Sequence, residues 1–189
     1  MGREAFSIRR VAGSGYLATG TVVYADRHLA AALTTDSAGV PVRYQVDVRS
    51  GGTREELLTG RATRGYFSVR SQTPRGEAAR ELLMSPRAHL LDDGIFHQWY
   101  FVLQGASPDA GPIPVLAPRR TTEIVLHLDP PTPDTVWVDG HVLRATRVHV
   151  SAPDAITRDV WTDAAGRLLA VNEDSAGAAT VVRRDELPR

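Results

Sequence analysis

The feature that most constrains this chain is a period-two alternation of apolar and polar side chains. Across residues 40–48 every second residue is apolar, and the positions between them include Arg43 and Asp47. Successive side chains on a β-strand point to opposite faces, so the pattern predicts a strand with one face on a core and the other in water. The same alternation recurs over residues 123–128 and 156–161, which predicts two more strands of this kind.

Other runs rich in β-branched and aromatic residues predict further strands. They lie at residues 6–11, 16–24, 28–35, 65–72, 135–138, 142–150, 167–171 and 179–184. Three of the connecting segments, 36–39, 163–166 and 174–177, begin with Asp and end with Gly. An Asp side chain accepts hydrogen bonds from a turn backbone, and Gly adopts the left-handed conformation that closes a short loop. Such turns between alternating runs predict an antiparallel meander, because a parallel sheet would need helices between its strands.

One segment departs from this pattern and predicts an amphipathic helix over residues 92–104. Its apolar residues, at helical spacing, are Ile95, Phe96, Trp99, Val102 and Leu103. Asp92 or Asp93 is placed to cap the start, and Gly105 is placed to end it. The preceding segment, residues 77–84, has helical propensity but is bounded by prolines, and a strand is the favoured interpretation.

Together these elements predict a mainly β fold in a single β-rich domain over residues 1–189. It is an antiparallel meander of about ten strands that forms a curved sheet or incomplete barrel around the helix at 92–104. The proline-rich stretch 107–118 is predicted to be a surface crossover loop. A chain of this length buries roughly 70% of its unfolded surface, which supports one core without disulfides, and the sequence contains no cysteine.

The charge composition excludes some classes of partner. The chain has 22 basic residues, all arginine, against 22 acidic residues. A neutral total argues against nucleic-acid binding, which depends on releasing counterions from many phosphates. Because no apolar run reaches about 18 residues, no transmembrane segment is predicted. The arginines could recognise phosphate-like anions, but their scatter among acids favours the alternative, a solvated surface whose arginines reflect codon usage.

The sequence carries no established catalytic motif, and we predict neither a cofactor nor a metal site. Among the six histidines, His141 and His149 lie on one predicted strand, about 26 Å apart by strand rise, so they cannot share an ion. His97 lies beside Gln98 in the predicted helix, where the two could present polar groups to a pocket. The simpler interpretation is that these two residues face away from a structural core stripe.

The C-terminal third of the chain carries a family resemblance. Residues 138–148 and 157–171 combine two strands, the second containing Trp161, with a hairpin turn at 163–166. This arrangement resembles the closing strands of bacterial exported β-rich proteins similar to the lipoprotein-localisation carrier (LolA/LolB-like) superfamily. The resemblance implies an incomplete barrel around a helix, an apolar cavity for acyl chains or another hydrophobic ligand, and a periplasmic location with the signal peptide removed. Without it, the first residues, which contain no signal-peptide core, predict a cytoplasmic location.

Three functional hypotheses follow, in decreasing order of preference. The first is a non-enzymatic binding or carrier module for a hydrophobic, lipid-like ligand, held in a cavity above about 300 Å³ between sheet and helix. Its predicted lining residues are Tyr44, Phe67, Phe96, Trp99, Leu103 and Trp161. The second is a structural or interaction protein that binds a protein partner through a sheet edge or the 107–118 loop. The third is an enzyme with His97 or His127 as general base, which requires a histidine and an acid within hydrogen-bond reach inside a pocket.

Overall fold

The computed structural model describes residues 2–11, 15–105, 111–138, 140–153, 157–175 and 178–183. Within these ranges the chain forms fifteen β-strands and one short α-helix. The strands build one curled half-barrel sheet and a second, mostly antiparallel sheet, which confirms the predicted fold class.

The first sheet contains seven strands in sequence order, each antiparallel to the next. They are β1 (Gly2–Val11), β2 (Gly15–Tyr24), β3 (Arg27–Asp36), β4 (Pro41–Ser50), β5 (Thr53–Thr63), β6 (Tyr66–Thr73) and β7 (Gly76–Leu83). Each strand pairs with its sequence neighbour, which is the meander expected from short turns between alternating runs. Strand β7 covers residues 77–83 of the segment 77–84, so the strand interpretation of that segment is confirmed for all but its last residue.

The second sheet begins with a short strand before the helix and continues after it. Its strands are β8 (His89–Leu90), β9 (Ile113–Ala117), β10 (Thr122–Leu128), β11 (Thr132–Val138), β12 (His141–Ser151), β13 (Thr157–Thr162), β14 (Leu168–Ser175) and β15 (Ala178–Arg183). The order is β15-β14-β13-β12-β10-β9-β8, and β11 pairs with β12 beside β10. Strands β8 and β9 are parallel, an exception to the predicted antiparallel order.

The helix is buried between the two sheets. A 3-10 turn at Phe96–Gln98 leads directly into α1 (Trp99–Gly105). Ile95 and Phe101 pack with the core of the first sheet, whereas Phe96, Trp99 and Val102 pack with the core of the second. Because both sides of the helix are covered, residues off the predicted apolar stripe are buried as well.

The repeated Asp-to-Gly turns share one geometry. The Asp36 carboxylate accepts hydrogen bonds from the backbone N–H groups of Ala38 and Val40, at 2.9 and 3.0 Å. Asp163 does the same two and four residues on, at 2.9 and 2.8 Å. Their closing glycines have φ of 80° and 74°, a conformation that only glycine adopts at little cost. The third such turn, at 174–177, falls partly outside the described residues.

Two predicted segments are corrected by the structure. Helical structure begins with the 3-10 turn at Phe96 and not at 92, because Gly94 has a φ of 74°, which cannot belong to a right-handed helix. The predicted loop at 107–118 contains strand β9, whose residues are mostly buried. Its residues pair locally with β10 and non-locally with β8, and the prolines in the sequence conceal both pairings.

A β-bulge changes the predicted buried face of β4. The register between β3 and β4 shifts at Thr34 and Thr35, so that Thr35 pairs with Pro41. Consequently Pro41 is buried while Val42 is 40% exposed, although the alternation predicted Val42 inside. An extra residue on one strand reverses the facing of the residues beyond it.

Candidate functional site

A cleft opens between the last turn of α1 and the second sheet. Its volume is about 390 Å³, inside the range of about 300–1,000 Å³ that is usual for small-molecule sites. Its apolar lining residues are Leu103, Pro112, Ile113, Leu128, Pro131 and Val148. The walls therefore come from α1, β9, β10 and β12 and from the segments next to them.

Local strand alternation aims the apolar side chains of the cleft inward. On β10, Leu126 is fully buried and Leu128 is half-buried, while His127 between them is exposed. On β12, Val148 and Val150 are buried on the same face. The core beneath the cleft is thus continuous with the cleft wall. An apolar ligand could lie there without desolvating buried polar groups.

A few polar groups also border the cleft. His127, Asp129, Thr146 and Thr162 are among its lining residues. Such a wall, apolar with several polar groups, fits an amphipathic molecule whose polar end stays near water.

The structure separates the six residues that the sequence predicted as cavity lining. Among the described lining residues of the cleft, Leu103 is the one member of that set. Phe96 and Trp99 border a separate void of about 20 Å³ at the start of the helix, which has room for about one water molecule. Whether these residues bind a ligand stays a prediction.

The remaining three predicted lining residues have structural partners. Tyr44 and Phe67 are buried in the core of the first sheet. Trp161 is half-buried, and its Nε1 donates a 2.8 Å hydrogen bond to Asp134. Hydrogen bonding to Trp161 lowers the pKa of the Asp134 carboxyl. None of these three is among the described residues that line the cleft.

A buried polar cluster joins the two sheets. The Asp92 carboxylate is fully buried and accepts hydrogen bonds from the Tyr44 hydroxyl at 2.7 Å and from Arg119 Nε at 3.0 Å. The Asp92 N–H donates to Gln98 Oε1 at 2.6 Å. Tyr44 belongs to β4, whereas Arg119 follows β9, so Asp92 connects both sheets to the helix segment.

Burial dominates the electrostatics of this cluster. It raises the pKa of the Asp92 carboxyl, although the Arg119 guanidinium favours the charged form. Burial also raises the pKa of the Tyr44 hydroxyl well above its ordinary value, and the Asp92 charge adds to this. A buried carboxylate is tolerated only when its acceptor capacity is satisfied, as it is here. The cluster is therefore a structural junction.

Two histidine–acid pairs bear on the enzymatic hypothesis. His97 Nδ1 lies 2.6 Å from Glu4 Oε1, and both side chains are buried. His149 Nδ1 lies 3.0 Å from Asp159 Oδ1 on an exposed sheet face. Neither pair is among the lining residues of the 390 Å³ cleft. His127, which does line it, has no acid within salt-bridge distance among the described residues.

Glu4 was missed by the sequence analysis, although it organises the start of the helix. Its Oε2 accepts hydrogen bonds from the N–H groups of Phe96 and His97, at 2.9 and 3.2 Å. The first N–H groups of a helix have no partners within it and need acceptors from elsewhere. Because this acceptor comes from β1, 92 residues earlier, local capping signals could not reveal it.

Two further properties concern ions and membranes. In the described part of the chain, no three His, Asp or Glu side chains lie close enough together to hold a metal ion. Across the same ranges, no helix has the length and apolarity needed to span a membrane.

The fold and the cleft define a class of protein: an open, β-barrel-like assembly of two sheets around a short buried helix. No protein-family model matches the chain, and no curated protein matches it in sequence. Among solved structures, it is similar to a β-barrel-like protein of a domain of unknown function, DUF1849, from Brucella abortus. The TM-score is 0.58 at 10% identity, over 96% of this chain and 86% of that chain.

At this level of identity the likeness shows the fold alone. It confirms the barrel-like architecture that the family resemblance implied. Membership in the lipoprotein-localisation carrier superfamily stays a prediction.

Proposed function

We propose that this protein is a binding module for an elongated hydrophobic ligand, such as an acyl chain, held in the cleft beside α1. The observation that carries the proposal is the cleft of about 390 Å³ with apolar walls from helix and sheet. The barrel-like fold is compatible with this function.

The shape of the cleft favours a ligand with one polar end. Leu103, Ile113 and Val148 supply apolar surface, whereas His127 and Asp129 lie on β10 and just beyond it. Each methylene group that a fatty acid or lipid tail buries stabilises the complex by about 0.8 kcal/mol. The polar head of such a ligand can remain hydrated beside His127.

A fluorescence titration with cis-parinaric acid, a fluorescent fatty acid, tests the proposal. The wild-type protein is expected to bind the probe with saturable stoichiometry. A Thr146→Trp substitution places a large ring on the cleft wall and is expected to weaken binding by about tenfold or more, equivalent to the loss of about 1.4 kcal/mol. The matched control is Thr53→Trp, at an exposed position on β5 in the other sheet.

Two outcomes would overturn the proposal. One is an absence of saturable binding by the wild-type protein. The other is equal binding by Thr146→Trp and Thr53→Trp when circular dichroism shows both variants folded.

Native mass spectrometry of protein purified from its own host then identifies the natural ligand. The same measurement reports the mature start of the chain. It therefore tests the periplasmic location, which is part of this proposal because the family resemblance implies it.

A further inference from the structure

We propose that the outer face of the first sheet holds a second binding site, for a small molecule that carries a phosphate-type anion. The site is centred on Arg43, Arg61 and Arg70. It lies on the opposite sheet from the cleft and goes beyond the proposed function.

The strand register places two arginines face to face. Arg43 on β4 pairs directly with Arg61 on β5. Both are exposed, and they alternate with the buried Tyr44 and Gly60. Side chains directly opposite on antiparallel strands have Cβ atoms about 4.5–5.5 Å apart, and like charges there are destabilising. A bound anion would remove this repulsion.

No acid in the described part of the chain neutralises this pair. Neither Arg43 nor Arg61 forms an ion pair or hydrogen bond with a described residue. By contrast, Arg49 and Arg54 on the same sheet hold the Asp47 carboxylate at 3.2 and 2.8 Å. The Arg43–Arg61 pair therefore lacks the compensation by an acid that the arginines around Asp47 have.

A groove next to the pair provides space for a ligand. Its volume is about 580 Å³, and Thr59, Arg61, Ser68 and Arg70 are among its lining residues. Arg70 has one acidic neighbour, Glu77, at the long distance of 3.9 Å with both side chains exposed. Exposed ion pairs of this kind contribute little to stability, so an incoming anion can replace Glu77.

The residue types define the ligand chemistry. A guanidinium forms two parallel hydrogen bonds with phosphate oxygens, and the Thr59 hydroxyl can donate a third. Glu81, which also lines the groove, accepts a hydrogen bond from Ser68 at 3.4 Å. Its charge confines an anion to the β4–β6 side. The remaining groove volume accommodates a polar body attached to the anion.

Calorimetric titration with pyrophosphate at low ionic strength tests the site. The wild-type chain is expected to bind one pyrophosphate, with an affinity that falls as salt is added. Arg61→Gln is expected to weaken binding by about tenfold or more, since it removes charge-assisted hydrogen bonds. The matched control is Arg144→Gln, an exposed arginine on β12 of the other sheet, which is expected to bind as wild type.

Two further variants separate a site from general surface charge. Arg61→Lys keeps the charge but cannot form the two parallel hydrogen bonds of a guanidinium. Its affinity for pyrophosphate is therefore expected to lie between those of wild type and Arg61→Gln. Glu81→Gln removes the repelling carboxylate and is expected to strengthen binding severalfold. Without pyrophosphate, Arg61→Gln is expected to raise the melting temperature slightly, because the like-charge pair is gone.

Vesicles that contain phosphatidylglycerol distinguish the source of the phosphate. Binding of soluble pyrophosphate by a protein that does not sediment with the vesicles supports the proposed soluble ligand. Sedimentation that depends on Arg61 would overturn it in favour of a membrane headgroup. Equal pyrophosphate affinity for Arg61→Gln, Arg144→Gln and wild type would show non-specific attraction only and would also overturn it.

Discussion

The two sheets bury the same helix in different ways. Toward the first sheet the helix packs aromatic rings in direct contact: Phe101 lies 5.9 Å from Tyr16 and 5.2 Å from Tyr100, ring centre to ring centre. Toward the second sheet the last turn of the helix, at Leu103, borders a cleft of about 390 Å³. One short apolar segment thus supplies a filled core on one side and open space on the other. Apolar spacing determines which residues are inside, but only the facing surface determines whether the space is filled.

The largest effect expected from this contrast concerns Phe67 and Leu103. Phe67 is fully buried in the first sheet, so Phe67→Ala is expected to lower the free energy of unfolding by about 3–5 kcal/mol. Leu103 is half-buried beside a cleft, so Leu103→Ala is expected to cost about 1 kcal/mol. Urea denaturation of both variants measures the difference. Equal losses would contradict the contrast between a filled core in the first sheet and open space beside Leu103.

The second prediction tests the junction between the sheets. Asp92→Ala leaves the half-buried Arg119 without its carboxylate partner and is expected to lower the free energy of unfolding by about 3 kcal/mol. The control, Asp93→Ala, removes a 53% exposed partner of Arg120 and is expected to cost less than about 1 kcal/mol. Thermal unfolding followed by circular dichroism compares them. A loss for Asp92→Ala no greater than the loss for Asp93→Ala would contradict the assigned role.

The third prediction concerns packing inside the first sheet. A Cβ added at Gly60 would lie 2.3 Å from the Phe67 ring, so Gly60→Ala is expected to cost about 1–3 kcal/mol. The double variant Gly60→Ala/Phe67→Leu is expected to lose less than the sum of the two single variants, because the smaller side chain leaves space for the methyl group. Additive losses, measured by urea denaturation, would argue against this contact.

The smallest effect is a pH dependence on the outer face. Hydrogen bonds from Arg54 lower the pKa of the Asp47 carboxyl from 3.8 to about 2. A lowered pKa in the folded state stabilises the protein above pH 3.8, and this contribution disappears as the pH falls toward about 2. Because the ion pairs are near the surface, the advantage of wild type over Asp47→Asn is expected to be at most about 1 kcal/mol at neutral pH.

Urea denaturation of both proteins between neutral and acidic pH measures this advantage. The buried Asp92 gives stability the opposite pH dependence, because its pKa is raised in the folded state. Its contribution is present below the pKa of the unfolded state and is lost as the pH rises through the pKa of the folded state. A constant difference between wild type and Asp47→Asn across this range would exclude the assigned ion pairs.

Much of the fold could be predicted because its signals are local. The alternation of residues and the Asp-to-Gly turns depend on neighbours two to four positions apart. The paired strands and the turn at Asp36 have the structure that these local signals predict. Strand β5 was missed, since its Glu-Glu-Leu-Leu run favours a helix in isolation. It is a strand because β4 and β6 supply hydrogen-bond partners on both sides.

The candidate sites depended on non-local contacts and could not be predicted to the same extent. The sequence indicated a cavity between sheet and helix. Of the residues predicted to line it, Leu103 is the one found among the described residues of the cleft wall. The Arg43–Arg61 pair was hidden in a composition whose charges sum to zero. A net charge contains no information about which side chains face each other across two strands.

The sequence by itself determined the period of the strands, the chemistry of the turns and the presence of one aromatic segment that must be buried, because each of these depends on residues close together in the chain. The tertiary structure alone decided that Glu4 holds the start of the helix, that Asp92 joins the two sheets and that space remains beside Leu103. These outcomes require residues far apart in sequence to meet. They therefore depend on the register and curvature of whole sheets, which no local pattern encodes.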